Sequence, residues 1–159
     1  MKKIAVICAL LLFACHESVR DEGKIVVKEQ ESVWQPEKKQ RGLQFISNVP
    51  SVIDGCQDAC TYADTIMGNS KIIYITNKMD DAFIQADSNL IHLHRDTVNS
   101  KLISDNRFIE VFKNDSYKTI LESEIFKEIG ETYQYRGTLK IFKGDSLKYE
   151  VKVIGEGGC

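Results

Sequence analysis

From Gly42 to Cys159 the apolar residues recur mainly with a period of two, in short runs separated by turn residues, and this alternation commits the segment to β-structure. Successive side chains of a strand point to opposite faces of a sheet, so an alternating sequence gives one apolar face and one wet face. Only Ser116–Ile129 offers a helical alternative, and its Thr119-Ile120-Leu121 and Ile125-Phe126 fit a long bent strand about as well. The strands expected are Leu43–Asn48, Thr61–Ile66, Lys71–Asn77, Ala82–Ala86, Leu90–Arg95, Phe108–Lys113, Tyr117–Phe126, Tyr133–Phe142 and Leu147–Ile154. Short consecutive strands with tight turns make a small antiparallel meander, and rolling it into a barrel or sandwich of about eight strands hides its edges. The expected fold class is therefore all-β.

Two hairpins are testable by parity, because opposed residues share a face and a one-residue slip exchanges the faces. A two-residue loop at Asp87-Ser88 pairs Ala86 with Asn89, Ile84 with Ile91 and Ala82 with Leu93, gathering apolar groups on one side. Phe83, Gln85, His92 and His94 then fall on the other. A three-residue loop at Gly144-Asp145-Ser146 opposes Ile141 to Tyr149, Leu139 to Val151 and Lys140 to Glu150. An even-length loop would scatter Lys148, Glu150 and Lys152 among core residues.

The first residues place the chain in a compartment. Met1-Lys2-Lys3 precede the uncharged run Ile4–Ala14, eleven residues long, whereas a transmembrane helix takes about 20, so the run reads as the core of a secretion signal. Its end, Leu12-Phe13-Ala14-Cys15, resembles the lipobox of bacterial lipoproteins, in which the cysteine is diacylated through its thiol before cleavage. Phe13 departs from the small residue usual at that place. The resemblance implies a signal peptide over residues 1–14, lipidation at Cys15 and attachment to the membrane by lipid. No Asp follows Cys15, and by the same resemblance the outer membrane is the expected location, on its periplasmic or cell-surface side.

Loss of Lys2 and Lys3 with the signal leaves 19 basic groups against 23 acidic ones, a net charge of −4. Nucleic-acid binding needs a concentrated basic surface and is excluded as the expected role. Between His16 and Gly42, twelve of 27 residues are charged, too few apolar groups remain to offset the entropy of ordering, and the segment 15–41 reads as a tether. Ile25-Val26-Val27 is its one apolar triplet. The domain is then 42–159, large enough for one core but small enough for a disulfide to matter.

Four stretches, Gly55-Cys56…Cys60-Thr61-Tyr62, Ala82 to Ile91, Tyr135-Arg136-Gly137-Thr138-Leu139 and the terminal Gly155-Glu156-Gly157-Gly158-Cys159, resemble a group of uncharacterised small lipoproteins of Bacteroidota-type bacteria. The resemblance spans roughly Gly55 to Cys159 and implies grouping, not an activity. In some of those relatives a second cysteine stands where this chain has Gly157, so a two-disulfide pattern is not available here. With Cys8 lost in the signal and Cys15 lipidated, Cys56, Cys60 and Cys159 remain to form one bridge in an oxidising space. Cys60–Cys159 is the first choice, Cys56–Cys159 the second and Cys56–Cys60 the third, since the last requires Gln57-Asp58-Ala59 to turn.

His92-Leu93-His94 sets two imidazoles on one strand face, as a zinc or copper site would. Zinc takes three or four ligands at about 2.0–2.3 Å, and the register above offers only Gln85 and Phe83 as neighbours, with no carboxylate or thiol across. A solvated face is the simpler expectation. Tyr133 and Tyr135 share a face and are candidates for a binding patch, although cross-strand packing is the commoner use of such a pair. No HExxH, CxxC, Gly-x-Ser-x-Gly or P-loop occurs. A general base would have to be His92, His94 or a carboxylate such as Asp54, Asp58, Asp64, Asp80 or Asp81. The expectation is a non-enzymatic, cofactor-free binding or structural module of the envelope, with an envelope protein as candidate partner. The alternative is inhibition of a secreted basic hydrolase, because small lipoprotein β-barrels that block lysozyme are similar in size, anchor and topology class. Their Ser-Gly-containing loop is missing, since no Ser-Gly pair occurs in this chain.

Overall fold

The structure, a computed structural model, describes residues 42–66 and 71–159. The expected signal segment, the lipidated Cys15 and the tether lie outside the described residues. Within them there is no helix, and nine strands follow in order: β1 (Gln57–Tyr62), β2 (Tyr74–Thr76), β3 (Asp81–Ala86), β4 (Asn89–Arg95), β5 (Lys101–Ser104), β6 (Arg107–Lys113), β7 (Tyr117–Ile129), β8 (Thr132–Lys143) and β9 (Ser146–Gly158). The sheet runs β4-β3-β2-β1-β9-β8-β7-β6, and β4 pairs again with β6 through His94↔Lys113 and Arg95↔Phe112. Eight antiparallel strands thus close into a barrel. The ninth, β5, pairs with the other half of the β6 edge, Arg107 to Ile109.

The parity of the hairpins decides what fills the barrel. Ala82, Ile84, Ala86 and Leu93 are fully buried, and Ala82↔Leu93, Ile84↔Ile91 and Ala86↔Asn89 oppose one another as the alternation requires. Asp87 and Ser88 hold positive φ angles of 50° and 64°, the conformation of a two-residue turn whose twist matches that of its strands. In the β8–β9 hairpin Ile141↔Tyr149, Lys140↔Glu150 and Leu139↔Val151 hold as well, but the loop is shorter than expected. Lys143 opposes Ser146, so the turn is Gly144-Asp145, and a bulge at Lys148 supplies the extra residue. Turn and bulge together preserve the parity that a three-residue loop would have set.

Phe112, Leu121, Leu139, Ile141, Tyr74 and Tyr135 complete an interior with no exposed surface. Tyr135 and its strand neighbour Tyr133 fit because β9 carries Gly155 and Gly157 opposite them. A Cβ at Gly155 would lie 2.1 Å from the Tyr135 ring, and one at Gly157 would collide with the Asp58 carboxylate and crowd Tyr133. The Gly-rich ending of the chain is therefore space for side chains of the neighbouring strands.

Several expected boundaries move. Leu43–Asn48 is no strand: it makes an isolated bridge, Gln44↔Gln85, receives the Tyr62 hydroxyl at the Leu43 carbonyl at 2.8 Å, and continues over the outside of β1–β3. There Ile46 and Ile53 cover Ala59, Ile75 and Phe83 in a second small core. Apolar residues on both faces of β3 carry this strap, and alternation alone gives no sign of it. The strand expected at Thr61–Ile66 is β1, which starts at Gln57 and ends at Tyr62. Lys101–Ser104, exposed throughout, was not expected as a strand at all. Ser116–Ile129 contains no helix, and β7 runs through it with a register shift between Ile125 and Lys127 that leaves Phe126 outside.

The bridge is Cys56–Cys159, which corrects the first choice of Cys60–Cys159. In the β1–β9 ladder Gln57 opposes Gly158, so the next position outward sets Cys56 against Cys159, whereas Cys60 opposes Gly155. Starting β1 at Thr61 hides that register. Cys60 points into the barrel, where burial pushes its thiol pKa well up and keeps it protonated.

Candidate functional site

One end of the barrel has charged groups where the other has aliphatic ones. Asp58 faces inward from β1 beside Gly157, Glu110 faces inward from β6 between Phe108 and Phe112, and Tyr133 faces inward from β8. Arg95 closes β4, and Lys78 occupies the β2–β3 turn with a φ of 65°. That turn is set by Asn77, whose Oδ1 accepts from the backbone N–H groups of Met79, Asp80 and Asp81 at 3.0–3.1 Å.

The five side chains form one network. Tyr133 donates its hydroxyl to the Asp58 carboxylate, 2.8 Å from both oxygens, and the Lys78 ammonium stands 3.8 Å from Asp58 and 4.7 Å from the centre of the Tyr133 ring. Arg95 pairs with Glu110 through Nη2 and donates from Nη1 to the Lys78 carbonyl at 2.7 Å. Glu110 Oε2 and the Tyr74 hydroxyl, both buried, have no hydrogen-bond partner among the described residues. Burial, reinforced by the Asp58 charge and opposed by Arg95, pushes the Glu110 carboxyl up to about 7. Asp58 is also raised by burial, against the Tyr133 hydrogen bond and the Lys78 charge.

Above this floor opens a cavity of about 520 Å³, walled by Leu102, Phe108, Ile109 and Ile125. Leu102 belongs to β5, the strand outside the closed barrel, which gives that strand a place at the mouth. The site therefore offers an apolar wall and a polar floor in which burial holds the Glu110 carboxyl above the usual carboxylate range. Its lining suits a small amphiphile whose polar end meets the charged side chains of the floor.

Tyr133 and Tyr135 do share a face, but it is the inner one. Tyr135 is wholly buried, so the pair forms no exposed patch, and Tyr133 alone reaches the mouth. Asp58 is part of the floor. Lys78, Arg95 and Glu110 escaped the sequence reading, although Glu110 carried a signal: it is a charge at an inward position of an alternating strand.

His92 and His94 lie on the outer face of β4, as their alternation requires. The expectation that no carboxylate stands across from them is wrong. Asp81 is the register partner of His94, and its Oδ1 lies 2.6 Å from His92 Nε2 and 3.4 Å from His94 Nδ1. Pairing Ala82 with Leu93 already implied this, one residue beyond the expected start of β3. No family model, curated protein or solved structure matches the chain.

Proposed function

We propose that this protein is a lipid-anchored binding module of the bacterial envelope, tethered through Cys15, whose barrel mouth receives a small amphiphilic ligand. One observation carries the reading: two carboxylates, Asp58 and Glu110, and two cations, Lys78 and Arg95, line an open cavity at the mouth. Well-packed apolar side chains of similar volume in place of a buried ion pair are often neutral for stability or a gain. A charged interior at an accessible cavity is thus better explained by recognition than by folding. The ligand's polar end donates a hydrogen bond to Glu110, and its apolar part lies on Phe108, Ile109 and Ile125.

The test is thermal unfolding of the full chain with hexylamine, hexanol and hexanoate as probes. Hexylamine and hexanol should raise the melting temperature of the wild type and leave that of Ile125→Trp, which fills the mouth, unmoved. No rise with either donor, or equal rises in the two proteins, would refute the mouth as the site. The anchor is tested separately, because Cys15→Ser should move the protein from the membrane to the soluble fraction.

A further inference from the structure

On the outer face of β3 and β4, apart from the cavity, we infer that Asp81, His92 and His94 form a binding site for a divalent transition metal of the zinc class. The three donor atoms, Asp81 Oδ1, His92 Nε2 and His94 Nδ1, lie within 4.8 Å of one another. Ligands at about 2.0–2.1 Å from a tetrahedral metal stand roughly 3.4 Å apart, the separation already present between Asp81 and His94. The 2.6 Å contact between Asp81 and His92 is a hydrogen bond, and a cation takes the place of its proton as the two atoms part by less than about 1 Å.

The donors are held in place from behind. Antiparallel pairing fixes Asp81 against His94, and the Phe83 ring stacks on the His92 ring at 4.5 Å and 11°, setting its plane. Asn77 donates to Asp81 Oδ2 at 3.0 Å, which leaves Oδ1 turned to the imidazoles. Asn114 donates to the His92 carbonyl at 2.8 Å. Lys113, the neighbour of His94 on β6, has its ammonium against Asp96 Oδ2 at 2.6 Å, not against the site. Such support is what orients first ligands around a metal. Two imidazoles and one carboxylate suit zinc, nickel or copper(II), not calcium or magnesium.

His92 and His94 are 45% and 68% exposed, so a bound ion keeps coordination positions open toward solvent, for water or for a donor group of a partner. The exposure also makes His94→Ala a variant that leaves the fold intact. Calorimetric titration of the full chain with zinc should give one ion per chain. Affinity should fall about ten-fold or more in His94→Ala and in Asp81→Asn, with the melting temperature of the metal-free His94→Ala protein unchanged. His16→Ala removes the third histidine of the chain and should leave zinc affinity as it was. Cobalt in place of zinc should give a visible absorption band that His94→Ala abolishes. Absence of zinc binding, affinity preserved in His94→Ala, or affinity lost in His16→Ala would each overturn the assignment.

Discussion

The two ends of the barrel solve the same problem in opposite ways. At the end formed by the β3–β4, β6–β7 and β8–β9 turns, the interior is mostly aliphatic and aromatic, and the charged groups of the described residues stay at the rim. Tyr117 donates to Asp87 Oδ2 at 2.7 Å, Lys143 meets the same oxygen at 2.8 Å, and Ile84, Leu121 and Ile141 fill the space beneath. At the other end Asp58, Lys78, Arg95 and Glu110 replace that filling, and the Cys56–Cys159 bridge joins the first and last barrel strands beside them. One end is built for stability. The other keeps charges inside an open cavity, and a covalent link stands where the core is weakest.

The largest effect that separates the ends should come from this link. Cys159→Ser opens a loop of 103 residues, and removing such a closure costs up to about 4.7 kcal/mol by chain entropy. Urea unfolding measures it, and a loss below about 1 kcal/mol would mean that the β1–β9 ladder alone holds the charged end. Next comes Leu121→Ala at the apolar end, expected to cost about 2–5 kcal/mol as a cavity in a packed core.

The pH profile gives the third contrast. The folded chain keeps the Glu110 proton up to about pH 7, whereas the unfolded chain releases it near the ordinary value of 4.5. Between those values the folded state binds more protons, so stability falls as pH rises, by about 3 kcal/mol in total. Glu110→Gln should flatten that interval. On the acid side the sign reverses at Asp96, whose carboxylate is held down to about 2 by Lys113 and Asn99. Its contribution is present above the ordinary 3.8 and lost as pH falls through 2. The smallest effect belongs to the apolar rim: Lys143→Met should leave the melting temperature nearly unchanged, because an exposed ion pair contributes little.

The barrel was legible because alternation is a local property. Ala82, Ile84 and Leu93 reveal their common face within one hairpin, and the β8–β9 parity survives even a misjudged loop. What escaped depends on distant register. Cys56 meets Cys159 across a ladder joining the two ends of the domain, and nothing near Cys56 marks where β1 begins. The strap over Ile75 and Phe83 was hidden because a strand buried on both faces loses its alternation. The charged mouth was half legible, since Glu110 breaks the apolar series of β6, but its partners Lys78 and Arg95 arrive from a turn and a strand end. Asp81 lay one residue beyond a register that was otherwise correct.

The most direct test of the division between the ends is the double variant Arg95→Met, Glu110→Leu, with unfolding free energy and uptake of hexylamine measured on the same protein. If the charged floor serves recognition, the variant is as stable as the wild type or more stable by about 1–4 kcal/mol, and the probe no longer binds. A variant that loses several kcal/mol of stability while still taking up hexylamine would contradict the account.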